Sequence, residues 1–409
     1  MTKDKKSKQN KWIKPRHKFA RNLIYWCYLP YVKRKYHVNI EKFANQGDRQ
    51  YLILLNHQTA FDQFLVGGAF DGPVYYVATE DIFTLGFLSK IIKFFVAPIP
   101  IKKQATDVSA VLTCKRIVKE GGTIAVMPEG NRTYSGETVN INPAIVGLAK
   151  LLKLPIVFFR IEGGYGVHPR WSDAIRKTSS MRAYVSRVME VDEYINLDND
   201  ALYDLIKTEL YVDETKVEGE YTHKNLAEYL ERVLYVCPNC GLAEFVTKKD
   251  EIECKKCHLK AKYLPNKQFK VINGNLPFTS VKDWYNYQNE YINNLDLSTF
   301  NDSIIFEDKK VKLFNVFPYK RKNKLSTVAT ITAYNDKIVL AYKKQNILLP
   351  LDEISVATVL GKNKLNVYCN DKVYQIKGDK RFNALKYVNL YYHYKNEKGG
   401  DKNGRFLGL

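Results

Sequence analysis

The chain has 409 residues, enough for about two to four domains and a sizeable core. Hydrophobic residues make up 45% and charged residues 26%, an ordinary globular mixture that excludes disorder as the default. The formal net charge of +21, from 64 Lys and Arg against 43 Asp and Glu, favours anionic partners: lipid headgroups, phosphorylated substrates, acidic proteins or nucleic acid. A genome biased toward Lys, Asn and Tyr codons would account for part of the same excess.

Residues 1–35 carry twelve Lys or Arg and one acid, Asp4, and the first ten or so read as disordered. Phe19, Ala20, Leu23, Ile24 and Cys27 recur at helical spacing, with Lys18, Arg21 and Asn22 between them. That predicts a basic amphipathic helix ended by Pro30. With Trp26 and Tyr28 near its end, the segment 1–36 reads as one that lies on an anionic membrane surface; the alternative is a helix that packs on the domain. No apolar run reaches the roughly 18 residues that span a bilayer. "NLIYWCYLPYV" (22–32) lacks a small-residue cleavage site and reads as retained.

Between 37 and 195 the pattern alternates. Strands are predicted at "YLILL" (51–55), "VYYVAT" (74–79), "TIAVM" (123–127), "PIVFFRI" (155–161) and "RAYVSRVMEV" (182–191), with helices at 62–70, 106–120 and 143–153. Thr106 and Asp107 suit a helix start and Gly121-Gly122 a stop. Strands alternating with helices predict an α/β fold, a mixed sheet flanked by helices with ligands at the carboxyl ends of its strands. "GFLSKIIKFFVAPIP" (86–100) is dense in apolar residues and carries Lys90 and Lys93; as a surface it suits an acyl chain or a bilayer.

Residues 196–233 read as a charged helical connector. Of seven cysteines, Cys237, Cys240, Cys254 and Cys257 form two CxxC pairs that enclose thirteen residues, "CPNC" and "CKKC". That spacing suits a tetrahedral zinc ribbon over 234–263 in a reducing compartment, with a redox pair as the alternative. With four thiolate ligands no position is open for catalysis, so the zinc would be structural, and no catalytic metal or organic cofactor is expected. A linker with one helix, "TSVKDWYNYQNEYINNL" (279–295) capped by Thr279 or Ser280, fills 264–298. From 299 to 396 short β-rich runs end in a helix over Arg381–Tyr394, a pattern that resembles a pleckstrin-homology or GRAM domain; 397–409 reads as a flexible tail.

Two stretches carry chemistry. In "NHQTAFDQF" (56–64), His57 and Asp62 stand five apart where an apolar strand ends. Within one regular helix such residues point about 140° apart. With His57 on the turn and Asp62 in the first helical turn after it, the carboxylate can bond one imidazole nitrogen and leave the other outward, as a general base requires. In "AVMPEGNRTYSG" (125–136), Pro128 and Gly130 set a turn after a strand. Gly130 permits close backbone approach, Arg132 suits bidentate phosphate contact, and Glu129 can bond a hydroxyl or orient the arginine.

"NHQTAFD" and "PEGNRT" resemble, in order and at a gap of roughly seventy residues, the HxxxxD and PEGxRS blocks of the glycerolipid acyltransferases, lysophosphatidic acid acyltransferases among them. "LKLPIVFFRI" (152–161) resembles the family's apolar fourth block, and "PIPIKKQ" (98–104) its second, with Lys102 and Lys103 where an arginine is usual. The resemblance implies that His57 takes the proton from a lysophospholipid hydroxyl while Asp62 holds the imidazole. The oxygen then attacks an acyl thioester of acyl-carrier protein or coenzyme A directly. It further implies that Glu129, Gly130, Arg132, Thr133, Lys102 and Lys103 bind substrate, with 1-acylglycerol-3-phosphate as acceptor and phosphatidic acid as product; Thr59 helps position the loop. The expected setting is the cytoplasmic face of the cell membrane, attached peripherally. Acylation of another lyso-lipid or a glycolipid is the alternative within the class. The rival class is a basic zinc-ribbon binding protein with a degenerate enzyme domain. Nucleic acid is not an expected partner, because its binding requires neither the His57–Asp62 spacing nor "GFLSKIIKFFV".

Overall fold

The computed structural model describes residues 11–79, 82, 87–101, 108–138, 140–300, 302–317 and 322–400. A helical run opens the chain: α1 (Pro15–Leu23), a π-turn (Ile24–Tyr28) and α2 (Leu29–Tyr36). Pro30 therefore does not end the helix. The Leu29 N–H already reaches back to the Ile24 carbonyl, so the register has shifted before the proline, and its missing N–H falls in the first turn of α2, where none is needed. Leu29, Val32 and Tyr36 face the core, while Phe19 and Trp26 stay 63% and 74% exposed on the other side.

Next come β1 (Val38–Ile40), β2 (Leu52–Leu55), α3 (Asp62–Ala69), β3 (Val74–Thr79), α4 (Phe87–Phe95) and β4 (Ile99–Ile101). They are followed by α5 (Val108–Lys119), β5 (Thr123–Val126), α6 (Ala144–Leu152), β6 (Ile156–Glu162), α7 (Gly164–Val167), β7 (Met181–Met189), α8 (Val191–Tyr194) and α9 (Asn199–Leu210). The strands form a seven-stranded sheet in the order β1-β7-β6-β2-β5-β3-β4, parallel except where β6 meets β7. Central β2 is wholly buried, and its period-two alternation sorts it between two cores. Ile53 and Leu55 pack with α2 and α3; Leu52 and Leu54 pack with α5, α6 and α9. The three-residue strands β1 and β4 are too short to leave a pattern in the sequence. α4 carries its apolar residues outward, with Phe87 76% exposed, and lies against α1, where the Arg16 guanidinium stacks on the Phe94 ring at 3.9 Å. The expected helix start at Thr106 and Asp107 lies outside the described residues.

The region read as a connector is different in kind. Only α9 is an α-helix there, and it belongs to the sheet domain, burying Leu202, Ile206 and Leu210. The chain from 211 to 235 holds no α-helix, and Leu226, Leu230, Val233 and Leu234 are buried in the C-terminal core. The cysteine region contributes β8 (Val236–Cys237) and β9 (Gly241–Leu242), paired with each other, and a four-stranded antiparallel sheet of β10 (Phe245–Lys248), β11 (Glu251–Cys254), β12 (Lys260–Tyr263) and β13 (Phe269–Asn273). That sheet runs past residue 263. Helix α10 (Val281–Asn293), capped by Ser280 Oγ on the Asp283 N–H, is no linker helix. Its buried Gln288 accepts from the Tyr235 and Val236 amides and donates to the Val233 carbonyl, and Trp284 Nε1 donates to the Val236 carbonyl.

The last region has seven antiparallel strands: β14 (Phe306–Val316), β15 (Asn323–Ala333), β16 (Lys337–Tyr342), β17 (Gln345–Pro350), β18 (Ile354–Leu360), β19 (Lys364–Cys369) and β20 (Lys372–Lys377), in the order β17-β16-β15-β14-β20-β19-β18. Helix α11 (Leu385–Lys398) closes the region, so 397–398 are helical rather than tail. One hydrophobic core joins this sheet, α10, α11 and the cysteine region, and it also takes in Tyr134 and Trp171 of the first domain.

Candidate active site

Because β2 and β5 are parallel neighbours, with Leu54 opposite Val126, the loops that leave their carboxyl ends emerge on one edge of the sheet. The first loop carries His57 and the second Glu129–Thr133. The second loop grips the first by its main chain: the His57 N–H donates to Glu129 Oε1 at 2.6 Å, and the His57 carbonyl accepts from the Thr133 N–H at 3.3 Å. Gly130 turns this loop at φ +70, a conformation that favours glycine.

His57 sits on the turn and Asp62 is the first residue of α3, and His57 Nδ1 lies 2.8 Å from Asp62 Oδ2. The Asp62 carboxylate is fully buried and also accepts from the Gln58 N–H at 2.8 Å, the Thr59 N–H at 2.9 Å and the Thr59 hydroxyl at 2.6 Å. A carboxylate that serves as acceptor throughout assigns the proton to Nδ1 and leaves the Nε2 lone pair free. The His57 side chain keeps 20% of its surface exposed, enough to meet a substrate. Thr59 positions the loop, as expected of it.

Glu129 meets solvent with part of its side chain but is otherwise ringed by protein. Burial pushes its carboxyl up to about 8; the His57 amide pulls the other way, and the negative charge of Asp62 adds to the rise. Arg132 is lowered by burial, and then by Arg170, to about 10, so it stays cationic at neutral pH. Its Nη1 is enclosed with no hydrogen-bond partner, and no carboxylate pairs with its guanidinium among the described residues. Thr133, expected to bind substrate, is 3% exposed, and its hydroxyl accepts from the Gly136 N–H at 2.9 Å; it braces the loop instead. Lys102 and Lys103 lie outside the described residues.

Several residues that hold the site carry no signal in the motifs. Asn56, buried at the end of β2, donates to the Ile161 carbonyl and accepts from the Ile161 N–H, both at 2.8 Å, and so extends the β2–β6 pairing through a side chain. Gln58 accepts from the Tyr165 N–H at 2.9 Å. Gly164 allows this approach, since a Cβ there would meet Gln58 Cβ at 2.8 Å. Burying polar side chains directly after an apolar strand was the available clue. Nothing marked Arg170. Its buried guanidinium donates to the Arg132 carbonyl at 3.0 Å and to the Val359 carbonyl of β18 at 3.1 Å, tying the phosphate-type arginine to the C-terminal sheet. Lys362 of that sheet donates to the Ser172 carbonyl and to Asp173 and lies 3.4 Å from His168 Nε2. Burial, then Lys362 and Arg132, hold the His168 imidazole down at about 3, hence neutral.

The four cysteine Sγ atoms lie within 4.8 Å of one another, with Cys237 3.5 Å from Cys257 and Cys240 3.6 Å from Cys254. Tetrahedral thiolate ligation at about 2.3 Å sets sulfurs roughly 3.8 Å apart, so the cluster fits a metal ion.

Residues 35–162, which include both loops, match the family described as Acyltransferase. Among solved structures the chain is similar to the 1-acyl-sn-glycerophosphate (LPA) acyltransferase PlsC from Thermotoga maritima, at 18% identity and a TM-score of 0.39, covering 47% of this chain and 78% of that one. No curated protein matches the chain.

The raised Glu129 carboxyl makes a test of the site's electrostatics. A carboxyl whose folded value lies above its unfolded one holds its proton longer in the folded state, so its contribution to stability declines as pH rises from the unfolded value, near 4.5, to about 8, and is level above that. Glu129→Gln keeps an acceptor for the His57 N–H without the titration. Its melting temperature relative to wild type is expected to climb between pH 5 and pH 8. A difference that stays flat over that range rules out a buried, proton-bearing Glu129.

Proposed function

We propose, from the match of residues 35–162 to the acyltransferase family, that this chain moves a fatty acyl group from a thioester to the free hydroxyl of a phosphate-bearing lysophospholipid, with 1-acylglycerol-3-phosphate as acceptor and phosphatidic acid as product. The observation that carries the reading is the 2.8 Å His57–Asp62 contact beside a cationic Arg132 that lacks a carboxylate. His57 Nε2 removes the hydroxyl proton as the oxygen attacks the thioester carbonyl, and Asp62 holds the imidazolium that forms. The tetrahedral intermediate expels the thiolate of coenzyme A or acyl-carrier protein, which takes the proton back from His57. Arg132, positioned by Glu129, Gly130 and Arg170, binds the acceptor's phosphate.

The N-terminal helical run and α4 support a peripheral place on the cytoplasmic face of a membrane. Phe19, Leu23, Trp26, Phe87 and Phe94 are exposed together with Lys18, Lys90 and Lys93, and α1 and α4 touch. No helix among the described residues is long and apolar enough to cross a membrane. The cysteine cluster we read as a structural zinc site: its four thiolates leave no open coordination position.

In an acyl-transfer assay on a panel of lyso-lipids, with both thioester donors, His57→Ala is expected to lower turnover about 10²- to 10⁴-fold with its melting temperature kept. Arg132→Ala is expected to raise the KM of the phosphorylated acceptor roughly tenfold to a hundredfold and leave the donor's unchanged. Near-wild-type turnover in the His57 variant, or equal loss on both substrates in the Arg132 variant, contradicts the assignment.

Removing the whole N-terminal run would strip Leu29 and Val32 from the core, so the membrane reading is tested at exposed positions. Trp26→Ser with Phe87→Ser is expected to weaken sedimentation with anionic vesicles severalfold at unchanged stability, and salt should weaken wild-type binding only in part. Unaltered sedimentation sinks it. Metal analysis of protein purified under reducing conditions is expected to find one zinc per chain, and Cys254→Ser to lose it; a metal-free protein overturns the zinc reading.

A further inference from the structure

The C-terminal sheet sets a group of cations opposite one another. Its register places Lys312 of β14 opposite Lys377 of β20, and Lys377 opposite Lys364 of β19. Residues so paired share one face with Cβ atoms about 4.5–5.5 Å apart, and like charges there repel. The next row on that face is Phe314, Gln375 and Asn366, with Lys324 of β15 opposite Phe314. Lys322 lies 4.5 Å from the Phe314 ring centre and donates to Gln375 Oε1 at 2.9 Å, and Gln375 donates to Asn366 at 2.9 Å. Opposite Asn366 stands Thr358, 2% exposed, with a hydroxyl that has no partner.

Lys312, Lys322 and Lys324 are exposed, while Lys364 and Lys377 are half-buried. Among the described residues no carboxylate pairs with Lys312, Lys322, Lys324 or Lys377. The repulsion registers at Lys322, whose ammonium is lowered first by burial and then by Lys364 and Lys377. The chain does not tolerate this elsewhere: β11 and β12 set Glu251 opposite Lys262 and Glu253 opposite Lys260.

We propose that this face is an anion site for a phosphate-bearing group, held by Lys312, Lys377 and Lys364 with Lys322 and Lys324 at its rim. A phosphomonoester supplies close to two negative charges and three acceptor oxygens, which suits several ammonium groups converging as point charges. Such a group neutralises the row that the register forces together. The site lies apart from His57 and does not depend on the catalytic reading. The phosphate can belong to a lipid headgroup or to a soluble compound.

Full-length wild type and Lys377→Gln are compared by thermal melting with inorganic pyrophosphate, and by sedimentation with phosphatidylcholine vesicles with and without phosphatidic acid. Without ligand and at low salt, the variant is expected to melt above wild type, because the central like charge is gone. Pyrophosphate is expected to raise the wild-type melting temperature and to bind the variant at least fivefold more weakly. If the source is a headgroup, the variant also loses several-fold affinity for phosphatidic acid vesicles; the N-terminal surface is common to both proteins. If it is soluble, only the pyrophosphate response changes. Lys377→Arg should restore whichever response is lost. The site is overturned if neither probe separates wild type from Lys377→Gln, or if Lys377→Arg behaves like the glutamine variant.

Discussion

The hydrogen bond from the His57 N–H to Glu129 is the contact through which the two motif loops become one site. It exists because β2 and β5 are parallel neighbours, so that their chains leave the sheet on the same edge. It also shapes the charge there. Asp62 lies close enough to oppose ionisation of Glu129, and burial keeps the Glu129 proton on, so the loop accepts an amide without placing a second negative charge beside the imidazole. A net backbone hydrogen bond is worth only about 1 kcal/mol. Here it fixes the peptide of His57 while the Thr133 amide holds the carbonyl and Asp62 the ring, so the residue has little freedom left to lose when a substrate arrives.

The C-terminal half is built into that arrangement rather than strung behind it. Arg170 uses one guanidinium for the Arg132 carbonyl and the β18 edge, and Arg232 donates to the Trp171 carbonyl and Asp173 while also reaching the Lys380 carbonyl. Tyr134 and Trp171 lie in the same core as α10 and α11. The segment between β6 and β7 is thus clamped from both sides, and the arginine that meets the anion is braced by a sheet more than two hundred residues away in sequence. A core this continuous implies that the two halves fold and melt together.

Much of this was legible in the sequence, and the failures have physical causes. Long parallel strands such as β2, β3 and β6 announce themselves, because burial on both faces leaves uninterrupted apolar runs. His57 and Asp62 were legible because their spacing straddles a strand end. The connector misread came from charge: 211–235 is rich in charged and aromatic residues, yet Glu231 and Arg232 are buried and paired, which composition alone does not reveal. Thr133 followed its motif neighbours into the substrate list although its hydroxyl is used within the loop. Arg170 and Lys362 were invisible because their meaning lies in contacts between distant segments, and no local period encodes those.

The N-terminal run shows how one local irregularity serves two surfaces. An uninterrupted α-helix through Pro30 would meet a steric clash and lose a hydrogen bond. The π-turn absorbs both and rotates α2 relative to α1, so that Leu29, Val32 and Tyr36 turn inward although Phe19, Leu23 and Trp26 point out. Tyr36 then packs against Phe61, one residue before Asp62, and against the His168 ring, while Tyr28 meets Phe64 in the first turn of α3. The same twenty-odd residues therefore carry an aromatic, basic outer face and an inner face that walls the catalytic loop. Whatever the outer face binds is held within a few side chains of His57, which is the geometry an enzyme needs if its acceptor is to reach the base without leaving the surface where it resides.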